Sequence, residues 1–190
     1  MSNIVFNYIV RDNINENRIS DIVNGLESRK YKVHLRFFDF SLSKEVNKKV
    51  KSINKKPDNV TISAIEKDYE DFENASNLIL ENFSEYVDCM CLIIVYDNLV
   101  VNKSLDDIDF DLLQDDDFGF IYSDYAVNGI RCFLPSCKKT FELRSPFLFL
   151  STKKIIKHIS EKDPASVIYN KYAGFHIPKS LCNIVLSNEK

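Results

Sequence analysis

Asp97 closes the most continuous apolar run of the chain, Val87-Asp88-Cys89-Met90-Cys91-Leu92-Ile93-Ile94-Val95-Tyr96-Asp97-Asn98. A run of this kind, partly β-branched, predicts a strand buried on both faces, as in the middle of a parallel sheet. An unpaired carboxylate is too costly to keep inside such a strand, so Asp97 belongs where the strand leaves the sheet. In open α/β sheets the carboxyl ends of the strands are where ligands bind. Asp97 is therefore the first candidate for holding a polar ligand; the competing reading is a polar residue that merely ends a strand. Other chemistries find less support. The chain has only four Gly and no Gly-rich phosphate loop. Cys132 and Cys137 lack a second Cys or His pair at zinc spacing. No Cys-His or Ser-His pair comes with a supporting hydrolase motif. The acidic series Asp106 to Asp117 contains no Gly-bearing twelve-residue calcium loop and reads as a solvated surface.

Composition sets the frame for such a site. At 190 residues, 45% hydrophobic and 28% charged, the chain fits one ordinary globular domain. A net charge of −3 argues against nucleic acid as the main partner, though a modified-base acceptor stays open. The local basic stretch Lys48, Lys49, Lys51, Lys55 and Lys56 reads as a solvated helix and loop face. Five Cys, an odd number with two inside the apolar run, suit free thiols in a reducing cytoplasm. No signal peptide is expected at Met1, and no apolar run reaches the roughly 18–20 residues that cross a bilayer. The richness in Asn, Lys and Ile hints at an AT-rich genome, such as a phage.

The elements that must position the candidates follow from periodicity. Ile4 to Val10 predicts a first strand, and Ile19, Ile22, Val23 and Leu26 the buried face of a helix with Arg29 and Lys30 in its last turn. Val33, Leu35 and Phe37 alternate with polar residues in a second strand ending at Asp39. This β-α-β order predicts a parallel sheet with right-handed crossovers. Ser43 is a candidate cap for a helix containing Val46, Val50 and Ile53; Pro57-Asp58-Asn59 is a turn; Val60 to Ile65 is a third strand. Phe72, Ala75, Leu78, Ile79 and Phe83 form the stripe of a third helix before the central strand. In the second half, Phe118 to Tyr122 predicts a strand, and Asn128-Gly129 between apolar flanks predicts a type I′ hairpin. Phe147 to Leu150 reads as a buried strand, and Ser151 or Thr152 as the cap of a helix through Ile155, Ile156 and Ile159. Val167 to Tyr169 reads as a further strand, and Leu181 to Leu186 as a last apolar piece. With no repeat and no linker, residues 1–190 are expected to form a single domain.

This order resembles the GT-A fold of family 2 glycosyltransferases. The resemblance rests on Arg11-Asp12-Asn13 after the first strand, Phe37-Phe38-Asp39 ending the second, and Glu73-Asn74-Ala75-Ser76-Asn77 in the third helix. It continues with Val95-Tyr96-Asp97-Asn98-Leu99-Val100-Val101, similar to the Asp-x-Asp element, and with Phe118-Gly119-Phe120-Ile121-Tyr122-Ser123-Asp124. It implies a three-layer α/β/α sandwich with a mostly parallel central sheet and a hairpin in the second half. Residues 1–98 would be a nucleotide-binding half and 99–190 an acceptor half. It further implies sugar transfer from a nucleotide-diphosphate donor, a UDP-sugar first, to an unknown acceptor. Such transfer must neutralise a leaving diphosphate, which Mg²⁺ or Mn²⁺ does on one or two carboxylates plus phosphates and water.

On this resemblance Arg11, Asp39, Asn77 and Asp97 would bind the donor, Asp97 and His176 the cation, and Asp163 or Glu161 would serve as the base. The sequence departs from the family where Val95 replaces the first acid of Asp-x-Asp, and where the cluster after the second strand shrinks to Asp39-Phe40-Ser41. The chain is also short for an active member. These departures support a second reading, a non-catalytic binding or interaction protein on the same fold. A third reading, a response-regulator-like domain, would need clustered acids with a Lys after a later strand, a pattern the sequence lacks.

Overall fold

A computed structural model describes residues 2–12, 14–81, 89–96, 99–101, 105–132 and 148–184. The first half alternates β1 (Ser2–Val10), α1 (Glu16–Gly25), β2 (Tyr31–Asp39), α2 (Val46–Lys51), β3 (Val60–Glu66), α3 (Ala75–Glu81) and β4 (Cys89–Tyr96). The second half holds β5 (Leu99–Val101), β6 (Phe118–Val127), β7 (Ile130–Cys132), β8 (Leu148–Ser151), α4 (Thr152–Lys157), α5 (Pro164–Lys171) and β9 (Ala173–Ile184). Short 3-10 helices at Tyr69–Asn74, Leu105–Asp107 and Phe110–Gln114 join them.

The strands form one sheet in the order β3-β2-β1-β4-β8-β6-β9-β5, with β7 on β6. β3, β2, β1 and β4 are parallel neighbours. β8 runs antiparallel to both β4 and β6, so β6 points the same way as β4, and β9 is parallel to β6. Side chains on alternate positions of β1 build the two cores. Ile4, Phe6, Tyr8 and Val10 pack with Ile19, Ile22 and Val23 of α1, Val46 of α2, and Leu105, Phe110 and Leu113 of the acidic segment. Val5 packs on the other face with Leu80 of α3, Ile155 of α4 and Ile168 of α5, and Ile9 with Phe38 and Ile79. The three-layer α/β/α expectation holds.

Several local expectations are corrected. Val167 to Tyr169 lie in α5, not in a strand: Pro164 opens the helix, Asp163 caps it, and Ile168 faces the sheet, which outweighs the β preference of Val, Ile and Tyr. Arg29 and Lys30 lie beyond the end of α1 at Gly25. Their backbone N–H groups, with the Ser28 hydroxyl, donate instead to the Asp106 carboxylate. The acidic segment is therefore not only a solvated face, since Leu105, Phe110 and Leu113 are fully buried. Glu45, not Ser43, precedes α2, and α2 stops before Ile53. Asn128 (φ 47°) and Gly129 (φ 83°) make the expected hairpin between β6 and β7.

Candidate functional site

Register aligns the carboxyl ends of the parallel strands. Val10 stands opposite Asp39, Asp39 opposite Glu66, and Ile9 opposite Tyr96. Arg11, Asp39, Glu66 and the last residue of β4 therefore share one rim. Asp97 follows Tyr96 directly but lies outside the described residues. The Arg11 guanidinium sits over the Phe72 ring, 4.7 Å from its centroid, and Phe72 meets Phe40 edge-on at 5.9 Å. A hydrogen bond with Tyr69 pushes the Arg11 pKa further up, so this rim keeps a fixed positive charge. Asn77 falls in α3, close in sequence to that aromatic pair.

Asp39 serves its own loop. It is fully buried; one carboxylate oxygen accepts from the backbone N–H and hydroxyl of Ser41, and the other from the backbone N–H of Val46 at the start of α2. Lys44, in a left-handed conformation (φ 51°), donates its Nζ to the carbonyl groups of Asp39 and Lys67 and so closes the rim between β2 and β3. The Asp39 carboxylate thus holds the turn that shapes the rim.

A second polar cluster lies across the sheet. The ladder Phe6–Ile93–Phe149–Ile121–Phe175 crosses β1, β4, β8, β6 and β9. Asp124 lies as far beyond Ile121 as Tyr96 lies beyond Ile93, which brings it to the same end of the sheet. Its side chain is 1% exposed, and both oxygens are engaged: Oδ1 with His176 Nε2 at 2.9 Å, Oδ2 with an Arg131 guanidinium nitrogen at 2.7 Å. The same Arg131 nitrogen donates to the Pro178 carbonyl group at 2.7 Å, tying the hairpin to β9. The His176 ring stacks on Tyr122, 4.8 Å between centroids and 20° between planes. A buried carboxylate is tolerable here because it is paired on both sides. In the sequence Asp124 stands out only as the end of the Phe118 to Asp124 segment of the resemblance. The parallel β6/β9 pairing, which joins residues about fifty positions apart, was the missing signal.

The remaining sequence candidates sit apart from this cluster or at a distance from the rim. Asp163 accepts a hydrogen bond from the Ser166 backbone N–H at 3.1 Å as the cap of α5, and Glu161 is exposed just before it. β9, which carries His176, lies three strand spacings from β4, about 14 Å across the ladder. Among the described residues no three of His, Cys, Asp and Glu converge as a metal site. Among the described residues, no helix is long and apolar enough to cross a membrane.

No family model matches the sequence, and no curated protein matches it. Solved structures do. S. aureus TarS residues 1-349 in complex with UDP-GlcNAc superposes with a TM-score of 0.62 at 12% identity, over 100% of this chain and 60% of that one. Another S. aureus TarS structure gives 0.59 at 15% identity, over 100% of this chain and 37% of that one. The chain thus spans less than two thirds of the TarS chains it matches. At these identities the likeness establishes the fold, a GT-A glycosyltransferase-like α/β/α architecture.

Proposed function

We propose that this chain binds a nucleotide-diphosphate sugar, a UDP-sugar first, and transfers the sugar to an acceptor hydroxyl. The observation that carries the reading is the shared rim: β1, β2 and β4 end side by side, with Arg11 beside the aromatic pair and Asp97 next in sequence after β4. Arg11 supplies a permanent charge for phosphate or a π-stacking face for the base. Asp97 is the carboxylate that would hold Mg²⁺ or Mn²⁺ with the donor's own phosphates, and Asn77 is a further donor contact. Bound there, the cation would supply charge neutralisation of the leaving diphosphate. The UDP-GlcNAc held by the TarS neighbour supports this donor class by analogy of fold. Asp39 acts through the turn it holds; a direct hydrogen bond to ribose would require its fully buried carboxylate to become accessible.

Titration calorimetry with UDP-GlcNAc and Mn²⁺ tests the reading. Heat that disappears in Asp97→Ala is expected, and no heat with any UDP-sugar would refute it. A second reading, binding without catalysis, is favoured by Val95 at the place of the first acid and by the commitment of Asp39 to its own loop. Donor binding without release of UDP would select it.

A further inference from the structure

We propose that His176 and Asp124 form a base dyad at the acceptor side of this site, with His176 as the catalytic residue and Asp124 as its positioning residue. The inference rests on the transferase reading and assigns the proton acceptor that reading needs. The sequence offers Asp163 and Glu161 for that role; Asp163 Oδ1 accepts the α5 capping bond, and both side chains are exposed.

Four observations carry the dyad. Asp124 is buried, and Arg131 holds its second oxygen, which keeps it an anion. A carboxylate only accepts, so the 2.9 Å contact makes His176 Nε2 the donor. The described residues give Nδ1 no partner, and in the neutral ring that atom carries the lone pair. Stacking on Tyr122 fixes the ring plane, while 12% of the His176 side chain stays accessible. Among the described residues, the charged groups paired with the imidazole are Asp124 from β6 and, through it, Arg131 from β7.

The placement suits the step. His176 lies on β9, about 14 Å from β4 across the ladder and toward the same end of the sheet. The acceptor oxygen forms a bond to the anomeric carbon as its proton passes to Nδ1. The bond from that carbon to the diphosphate breaks, and the nucleoside diphosphate leaves with the electron pair. The products are the glycosylated acceptor, UDP and one proton on the imidazole.

Water is the acceptor probe, since UDP release from UDP-GlcNAc with Mn²⁺ needs no knowledge of the natural acceptor. In full-length His176→Gln we expect UDP release to fall at least about a hundredfold, with donor heat and melting temperature retained. Undiminished release from folded His176→Gln would overturn the dyad alone. Donor heat with no wild-type release would overturn the base while keeping the binding site, and no heat at all would overturn both. Nitrogen-15 NMR of the imidazole gives a readout independent of turnover. The proton is expected on Nε2 in the wild type, with that preference weakened in Asp124→Asn; a proton on Nδ1 would refute the geometry.

Discussion

The two halves of the sheet handle charge at the same rim in opposite ways. In the parallel half, β3-β2-β1-β4, the buried carboxylate of Asp39 turns back on its own chain, within seven residues, and stabilises a loop. In the other half, the buried carboxylate of Asp124 reaches across strands to His176 and Arg131. The first arrangement shapes a rim; the second orients a side chain that can exchange a proton. A buried acid is therefore not in itself a sign of chemistry: what matters is whether its partners are backbone N–H groups or another titratable group.

Three substitutions sharpen that contrast, taken from the largest expected effect. Asp39→Ala leaves the buried Val46 N–H and the Ser41 groups without their acceptor, and should cost about 3 kcal/mol in denaturant unfolding. A loss below about 1 kcal/mol would mean that the loop does not depend on the carboxylate. Asp106→Asn should cost roughly 2 kcal/mol, since it weakens the bonds that tie the acidic segment of the second half to the turn before β2. The Ser28 hydroxyl bond and then the Arg29 and Lys30 N–H groups hold the Asp106 carboxyl below its usual pKa. Its stabilising contribution is complete above the unfolded carboxylate range and is lost as pH falls through the lower folded pKa. Asp106→Asn should therefore flatten the acid limb of the stability curve, measured by urea unfolding between about pH 2 and 6. Asp163→Ala removes only the α5 cap and should cost about 1 kcal/mol by thermal unfolding.

Much of the first half was legible from sequence because its signals are local. The alternation of Val33, Leu35 and Phe37 and the stripe Ile19, Ile22, Val23 each report one buried face, and both formed as expected. Asn128-Gly129 named its own turn because positive φ is cheap there. Val167 to Tyr169 misled for the same reason: three β-favouring residues in a row say nothing of the cap and packing that made them helical. The candidate Asp97 lies outside the described residues, but the strand that leads to it has the predicted extent and parallel neighbour.

By itself the sequence determined the order of strands and helices in the first half, its parallel pairing, and which segments end in acids, because periodicity, caps and the desolvation of charge act over a few residues. Only the tertiary structure decided what those acids meet. It set Asp39 on Val46, Asp106 on the turn after α1, and Asp124 between Arg131 and His176. The pairings of Asp106 with the turn after α1 and of Asp124 with His176 depend on strand order and register, which bring together residues far apart in the chain and leave no local pattern to read.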